Sequence, residues 1–255
     1  MGPSLLRLAI AGWFLACGIL AAQPGVAPSK PSATAETPIP RYQVRRAVSP
    51  PVIDGKFDET VWAAASPAVT LQFLWETQTG AKQKTAVRML WDEQNLYLAY
   101  DCEDADITAQ FQKRDDPTYQ DDAVEIFINP RPSQDGLYFG FEMNVRGVLY
   151  DYANYGGRTL VKQYNADGVR IVTFLRGTMN ARGDQDQGWS LEAAIPWSNF
   201  DSLSRPPQAG TVWKANLNRW DGVEPDRRMS IWSDPQQQTP WPHIPQRFGE
   251  LVFVQ

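Results

Sequence analysis

Between Leu137 and Val145 the chain alternates without a break: Leu137, Phe139, Phe141, Met143 and Val145 fall on one side, Tyr138, Gly140, Glu142 and Asn144 on the other. Successive side chains of a strand leave opposite faces, so this two-residue period predicts a strand with the first set in a core. The same parity in Ala123–Asn129 puts Val124, Ile126 and Ile128 on one face and Glu125, Phe127 and Asn129 on the other. In Trp213–Trp220, Trp213, Ala215 and Leu217 alternate with Lys214, Asn216, Asn218 and Trp220. Strand-like runs also cover Thr85–Trp91, Asn95–Asp101, Val148–Tyr155, Val169–Leu175, Trp189–Ile195, Val212–Trp220 and Phe248–Val254, nearly all separated by turn formers. One short helix is predicted at Asp58–Ala65, after a turn at Asp54 and Gly55, and no second amphipathic helix or internal repeat follows. The class is all-β, with one core of sandwich or barrel size.

The first residues read differently. Arg7, the apolar run Leu8–Ala16 and small residues at Ala21 and Ala22 make residues 1–22 an expected signal peptide, too short in its apolar part for a membrane span. Phe14-Leu15-Ala16-Cys17-Gly18 also resembles a lipoprotein signal, which makes Cys17 a candidate lipid anchor. Residues 23–40, with Pro24, Pro28, Pro31, Pro38 and Pro40 among Ala, Ser and Thr, form an expected extended linker, and the domain is placed at 41–255. The expected location is periplasmic, outer-membrane-associated or extracellular. Without Cys17 only Cys102 remains, and one cysteine forms no internal disulfide, so it is read as buried and inert.

Composition narrows the partners. Of 255 residues, 43% are hydrophobic and 21% charged, as in a folded soluble domain. The net charge is −5 and no Lys/Arg cluster appears, which excludes a phosphate-binding surface and with it nucleic acid. Aromatic residues reach 12%, with 10 Trp, many in Pro- and Asn-rich segments where loops and sheet rims are expected. Two readings of the polar faces stand at this level. Glu142, Asn144 and Asn216 are either ordinary solvent-facing residues, or, with Glu125 and nearby rings, groups that pair sugar hydroxyls while a ring packs on the C–H face.

Several segments in order resemble the family 9 carbohydrate-binding modules. They are Val52-Ile53-Asp54-Gly55-Lys56-Phe57-Asp58 with Trp62, Leu90-Trp91-Asp92-Glu93-Gln94-Asn95-Leu96-Tyr97-Leu98, Asp121-Asp122-Ala123-Val124-Glu125-Ile126-Phe127-Ile128 and Phe141-Glu142-Met143-Asn144. Gly188-Trp189-Ser190-Leu191-Glu192-Ala193-Ala194-Ile195-Pro196-Trp197, Ile231-Trp232-Ser233-Asp234-Pro235 and Arg247-Phe248-Gly249-Glu250-Leu251 continue the series. The resemblance implies an antiparallel, jelly-roll-like β-sandwich that grips the end of an oligo- or polysaccharide between two aromatic rings without chemistry, in support of polysaccharide catabolism, with calcium as a structural ion. The family's ring positions correspond to Tyr119, where Tyr replaces Trp, and to Trp241. Both residues also read as rim aromatics packed on Pro117, Pro240 and Pro242. Glu125, Glu142, Asn144 and Asn216 are the candidate polar contacts, and Glu142 stands where an Arg is expected. The acidic clusters Asp101–Asp106, Asp115–Asp116 and Asp184–Asp186 are candidate calcium ligands, though none has a complete loop pattern.

Two other classes remain open. A glycosidase would use Glu125 and Glu142 as its carboxylate pair. A haem-binding sandwich of the cytochrome type would need axial ligands such as Met143 and the sole histidine, His243, although Met143 falls on the core face. His243 otherwise reads as a satisfied loop residue, and alone it supports neither a multi-histidine metal centre nor a Ser-His-Asp triad.

Overall fold

A computed structural model describes residues 37–65, 68–156, 160–200 and 205–255. The expected signal peptide, Cys17 and most of the linker lie outside these residues. Strands β1 (Arg41–Arg46), β2 (Val69–Thr70), β3 (Thr85–Trp91), β4 (Asn95–Cys102), β5 (Ala123–Asn129), β6 (Leu137–Asn144) and β7 (Leu149–Tyr155) are followed by β8 (Leu160–Val161), β9 (Arg170–Arg176), β10 (Gly188–Pro196), β11 (Val212–Asp221), β12 (Arg228–Ile231) and β13 (Gly249–Val254). The path β8-β7-β6-β5-β11-β13-β1-β3-β4-β10-β9 is continuous, with β12 beside β11 and β2 beside β3. Pairing is antiparallel except around β1, which runs parallel to both β13 and β3.

Parity explains how this path closes into two layers. Ile126, Phe141, Met143 and Leu217 from β5, β6 and β11 share one buried cluster with Met89, Leu98, Leu191 and Ala193 from β3, β4 and β10. The two halves therefore face each other across one core, as in a β-sandwich. Strand β13 joins them, adding Leu251 and Phe253 to the same cluster. Cys102 is buried and free, and burial pushes its thiol up to about 12, so it stays protonated and inert.

The predicted helix is a 3-10 turn, Thr60–Ala64, shorter than expected and not α-helical. It holds its place by packing Val61 and Trp62 on Leu90, Tyr97 and Ala194 rather than by its own hydrogen bonds. Glu192 of β10 ties this region down. Its carboxylate accepts hydrogen bonds from the backbone N–H of Asp54 and Gly55, at 2.9 and 2.8 Å, and from the Trp62 indole at 2.8 Å. Gly55 has φ +90°, and a Cβ there would meet the Thr173 backbone at 2.8 Å, so the turn requires glycine. Glu192→Ala is expected to lower unfolding stability by about 2–4 kcal/mol, since it strands three donors of a charge-assisted set. Urea denaturation checks this.

Residues 37–40 belong structurally with the domain. Thr37 donates to Asp234 and accepts from Arg247, and the Pro40 carbonyl accepts from the Glu250 N–H.

Candidate functional site

The outer face of β5, β6 and β7 carries a further apolar cluster, Phe127, Tyr138, Tyr150, Tyr152 and Phe248, with Tyr119 packed against it. An ordinary solvent-facing surface was one of the two readings of this face. The structure instead buries it beneath the loop that joins β12 to β13. Gly140 lies opposite Tyr152, and a Cβ at that position would come within 2.3 Å of the Tyr152 ring, so glycine makes the space this ring fills. Above the cluster lies a cavity of about 420 Å³, within the range of small-molecule sites.

Tyr119, Glu125, Glu142 and Trp241 all line that cavity, as do Tyr150, Tyr152, Lys162, Trp220, Arg227 and His243. Tyr119 sits on the 3-10 turn Thr118–Gln120, which the Thr118 hydroxyl fastens by donating to the Glu142 carbonyl at 3.0 Å. Its ring lies 5.8 Å from that of Tyr150. Trp241 stands in the covering loop between Pro240 and Pro242, 53% exposed, edge-on to His243 at 4.7 Å. His243 in turn stacks on Phe127 at 4.8 Å, and its Nδ1 is hydrogen-bonded to the Tyr138 hydroxyl at 2.9 Å. Burial pushes its pKa down to about 4, so the ring is neutral. The histidine is a satisfied loop residue that also forms part of the wall.

Glu125 and Glu142 are directly opposed on neighbouring strands, 2% and 3% exposed. Burial raises both carboxyls above the usual range, and for Glu142 the facing Glu125 raises it further. Glu125 accepts a hydrogen bond from Asn218 at 3.2 Å. Arg227 lies over Trp220, its guanidinium carbon 4.2 Å from the ring centroid. Among the described residues, seven buried side-chain polar atoms have no hydrogen-bond partner. Five belong to this group: Glu142 Oε2 and the Tyr152 hydroxyl, which interact with each other without good hydrogen-bond geometry, Asn218 Oδ1 behind Glu125, and Nε and Nη2 of Arg227. Orphaned buried donors and acceptors are costly, and their concentration around one cavity marks it as built for a ligand that supplies both.

Asn144 and Asn216 do not belong to this group, a correction to the sequence-based expectation. The Asn144 amide donates to Asp121 and to the Phe111 carbonyl, while its oxygen accepts from Arg146 and Val148 backbone N–H groups. Its hydrogen-bonding capacity is spent on the β6–β7 turn. Asn216 exchanges hydrogen bonds with both backbone groups of Ser233 and so pins the start of the covering loop. Both are fully buried. Asn218, one step along the same face from Asn216, is the amide that supports the site, from behind the cavity wall, by donating to Glu125.

Several of the carboxylates suggested for the implied calcium already have protein partners. Among the described residues one group of three carboxylates converges within 4.8 Å: Asp104, Asp122 and Asp221. The Arg219 guanidinium already lies against it, 3.0 Å from Asp104 and 2.6 Å from Asp221. Each of the six oxygens accepts from a protein donor: Asp106, Trp189 and Arg219 on Asp104, Gly222 and Thr108 on Asp122, Gln83 and Arg219 on Asp221. Asp186 is committed to the N–H groups of Ile107 and Thr178, and Asp116 to those of Gln112 and Lys113. A haem does not fit. Met143 is in the sandwich core, on the opposite face of β6 from Glu142 and the His243 wall.

A family profile described as "Carbohydrate family 9 binding domain-like" matches residues 53–255. The chain belongs to this family. It is 29% identical over 209 residues to Endo-1,4-beta-xylanase A of Thermotoga neapolitana and 28% over 206 residues to Exoglucanase XynX of Acetivibrio thermocellus. Each match takes in 80% of this chain but only 17% and 16% of those much longer proteins. A putative carbohydrate-binding protein from Bacteroides uniformis superimposes with a TM-score of 0.69 at 20% identity, covering 85% of this chain and 100% of that one. A family 9 carbohydrate-binding module from Caldicellulosiruptor kristjanssonii, solved with cellotriose, gives 0.59 at 18% identity, covering 84% and 93%. Among the described residues, no helix is long and apolar enough to cross a membrane.

Proposed function

We propose that this family 9 domain binds carbohydrate without transforming it, taking a neutral sugar into the cavity between Tyr119 and Trp241. The set of unpartnered atoms carries the reading. Asn218 Oδ1 accepts, Arg227 Nε and Nη2 donate, and the Tyr152 hydroxyl and the Glu142 carboxyl do either, the latter according to its protonation. A sugar hydroxyl both donates and accepts, and so satisfies neighbours of both kinds, whereas an anion or an amine satisfies one kind and opposes the other. The rings of Tyr119 and Trp241 supply apolar faces for the C–H side of a pyranose. The similar module with cellotriose, and a second structure of it with glucose, make glucose-based chains the first ligands to try.

The glycosidase alternative draws on the same two carboxyls. They stand side by side on adjacent strands and approach a ligand from one wall, whereas a glycosidase pair flanks the scissile bond. Binding is therefore the better-supported role. Calorimetric titration of the full chain with glucose, cellotriose and xylo-oligosaccharides tests it, alongside an assay for released reducing ends. Saturable binding without release is expected; release of reducing ends in proportion to protein would overturn the non-catalytic reading. Export is proposed from the character of residues 1–22, and N-terminal sequencing of the mature protein checks it.

A further inference from the structure

We propose that Glu142 meets its ligand as a neutral carboxylic acid, donating a hydrogen bond to a ligand oxygen while Glu125 beside it accepts one. The proposal rests on the carbohydrate reading above and names the residue that sets the polarity of that site.

The geometry is that of two carboxyls forced into one buried space. Glu125 and Glu142 are partners in the β5–β6 register, and side chains so placed have Cβ atoms about 4.5–5.5 Å apart. Both line the cavity and both are almost fully buried. Among the described residues, no Lys, Arg or His makes an ion pair within 4.0 Å of either. Two adjacent, unpaired, buried carboxylates cannot both stay ionised at modest cost, so the pair retains a proton.

The surroundings decide which member keeps it. Glu125 accepts from the Asn218 amide and lies in the field of Arg227, both of which favour its ionised form, and a Trp220 donor acts in the same direction. Glu142 has Oε2 without a partner, and its neighbours are weaker counterweights. Tyr152 and Tyr150 face it from β7, Tyr138 lies beside it on β6, and Lys162 reaches in from an exposed position after β8. Tyr119 and the neutral His243 and Trp241 complete the wall and bring no charge. Burial and the facing Glu125 both raise the Glu142 carboxyl, while Tyr152 and Lys162 offset only part of the rise. As a neutral acid, Glu142 offers one O–H donor where an ionised carboxylate would offer none.

The sign of the pH effect follows. A ligand that accepts from protonated Glu142 stabilises the proton, so binding above the pair's upper ionisation takes a proton up and weakens as pH rises. The full chain is titrated with cellotriose between pH 6 and pH 9, with melting temperature followed at each pH to confirm folding. Once pH passes the pair's upper ionisation, affinity is expected to fall by up to about tenfold per pH unit, with proton uptake seen as a buffer-dependent binding enthalpy. Glu142→Gln is expected to bind with that alkaline loss abolished, because its amide donates at every pH; Glu142→Ala is expected to bind weakly throughout. Binding by the unaltered chain that strengthens as pH rises or that releases protons, or Glu142→Gln binding as weakly as Glu142→Ala, would overturn the proposal and leave the carbohydrate reading standing; flat binding with Glu142→Gln retaining affinity would show the acid protonated across the whole range. Absence of binding at every pH would remove both.

Discussion

Arg219→Ala is expected to lower unfolding stability by about 3–5 kcal/mol, the range for removing one partner of a buried ion-pair group. The residue sits on the inward face of β11, after Trp213, Ala215 and Leu217, where parity calls for an apolar side chain. It is fully buried and joins Asp104 and Asp221, with the Glu103 carbonyl and the Thr85 hydroxyl as further acceptors. Without it, three clustered carboxyls would lose their counter-charge. Even with it, burial, followed by Asp104 and Asp221, pushes Asp122 up to about 8. The variant's deficit has a definite pH dependence. Removing the guanidinium, which lowers both, raises the folded-state pKa values of Asp122 and Asp221 further above their unfolded values. The folded state then binds more protons, and stability falls as pH rises through the raised values. Urea denaturation at pH 5 and pH 8 should therefore show the larger loss at pH 8. An equal loss at both would mean that packing against Trp189, rather than charge, is what Arg219 provides.

Trp241→Ala has the opposite signature. The indole is half exposed and, among the described residues, its ring meets only that of His243, so unfolding stability is expected to change by less than about 1 kcal/mol. Its removal from the mouth of the cavity should cost about 2 kcal/mol or more of binding, roughly 30-fold in affinity, as for an aromatic hot spot. Calorimetry with cellotriose and a thermal melt separate the two quantities. A large fall in melting temperature would show that the indole is a structural cap on the Phe127–His243 stack.

Much of this arrangement was legible in the residue pattern because one physical constraint dominates it. Strands at Thr85–Trp91 and Ala123–Asn129 appear at the expected residues since each has an inward face that must be apolar. Strand β1 escaped notice because Arg41–Arg46 buries only Tyr42 and Val44 among four charged or polar residues. The short strands β2, β8 and β12 have too few residues to show a period. Tyr150 and Tyr152 alternate with Leu149 and Ala153, so their membership of the outer face was available from parity. The register that sets Asn218 opposite Glu125, and the fold of the covering loop over that face, were not, because both depend on contacts far apart in sequence. The same limit explains Asn144 and Asn216: parity finds the face, but local hydrogen bonding decides whether an amide remains free for a ligand.

A crystal structure of the full chain grown with cellotriose bears most directly on the claim that this buried polar cavity is a sugar site. The account predicts one sugar ring between Tyr119 and Trp241, its hydroxyls bonded to Glu142, Tyr152 and Arg227. Saccharide density elsewhere on the domain, with these groups still unpartnered or bridged only by water, would contradict it.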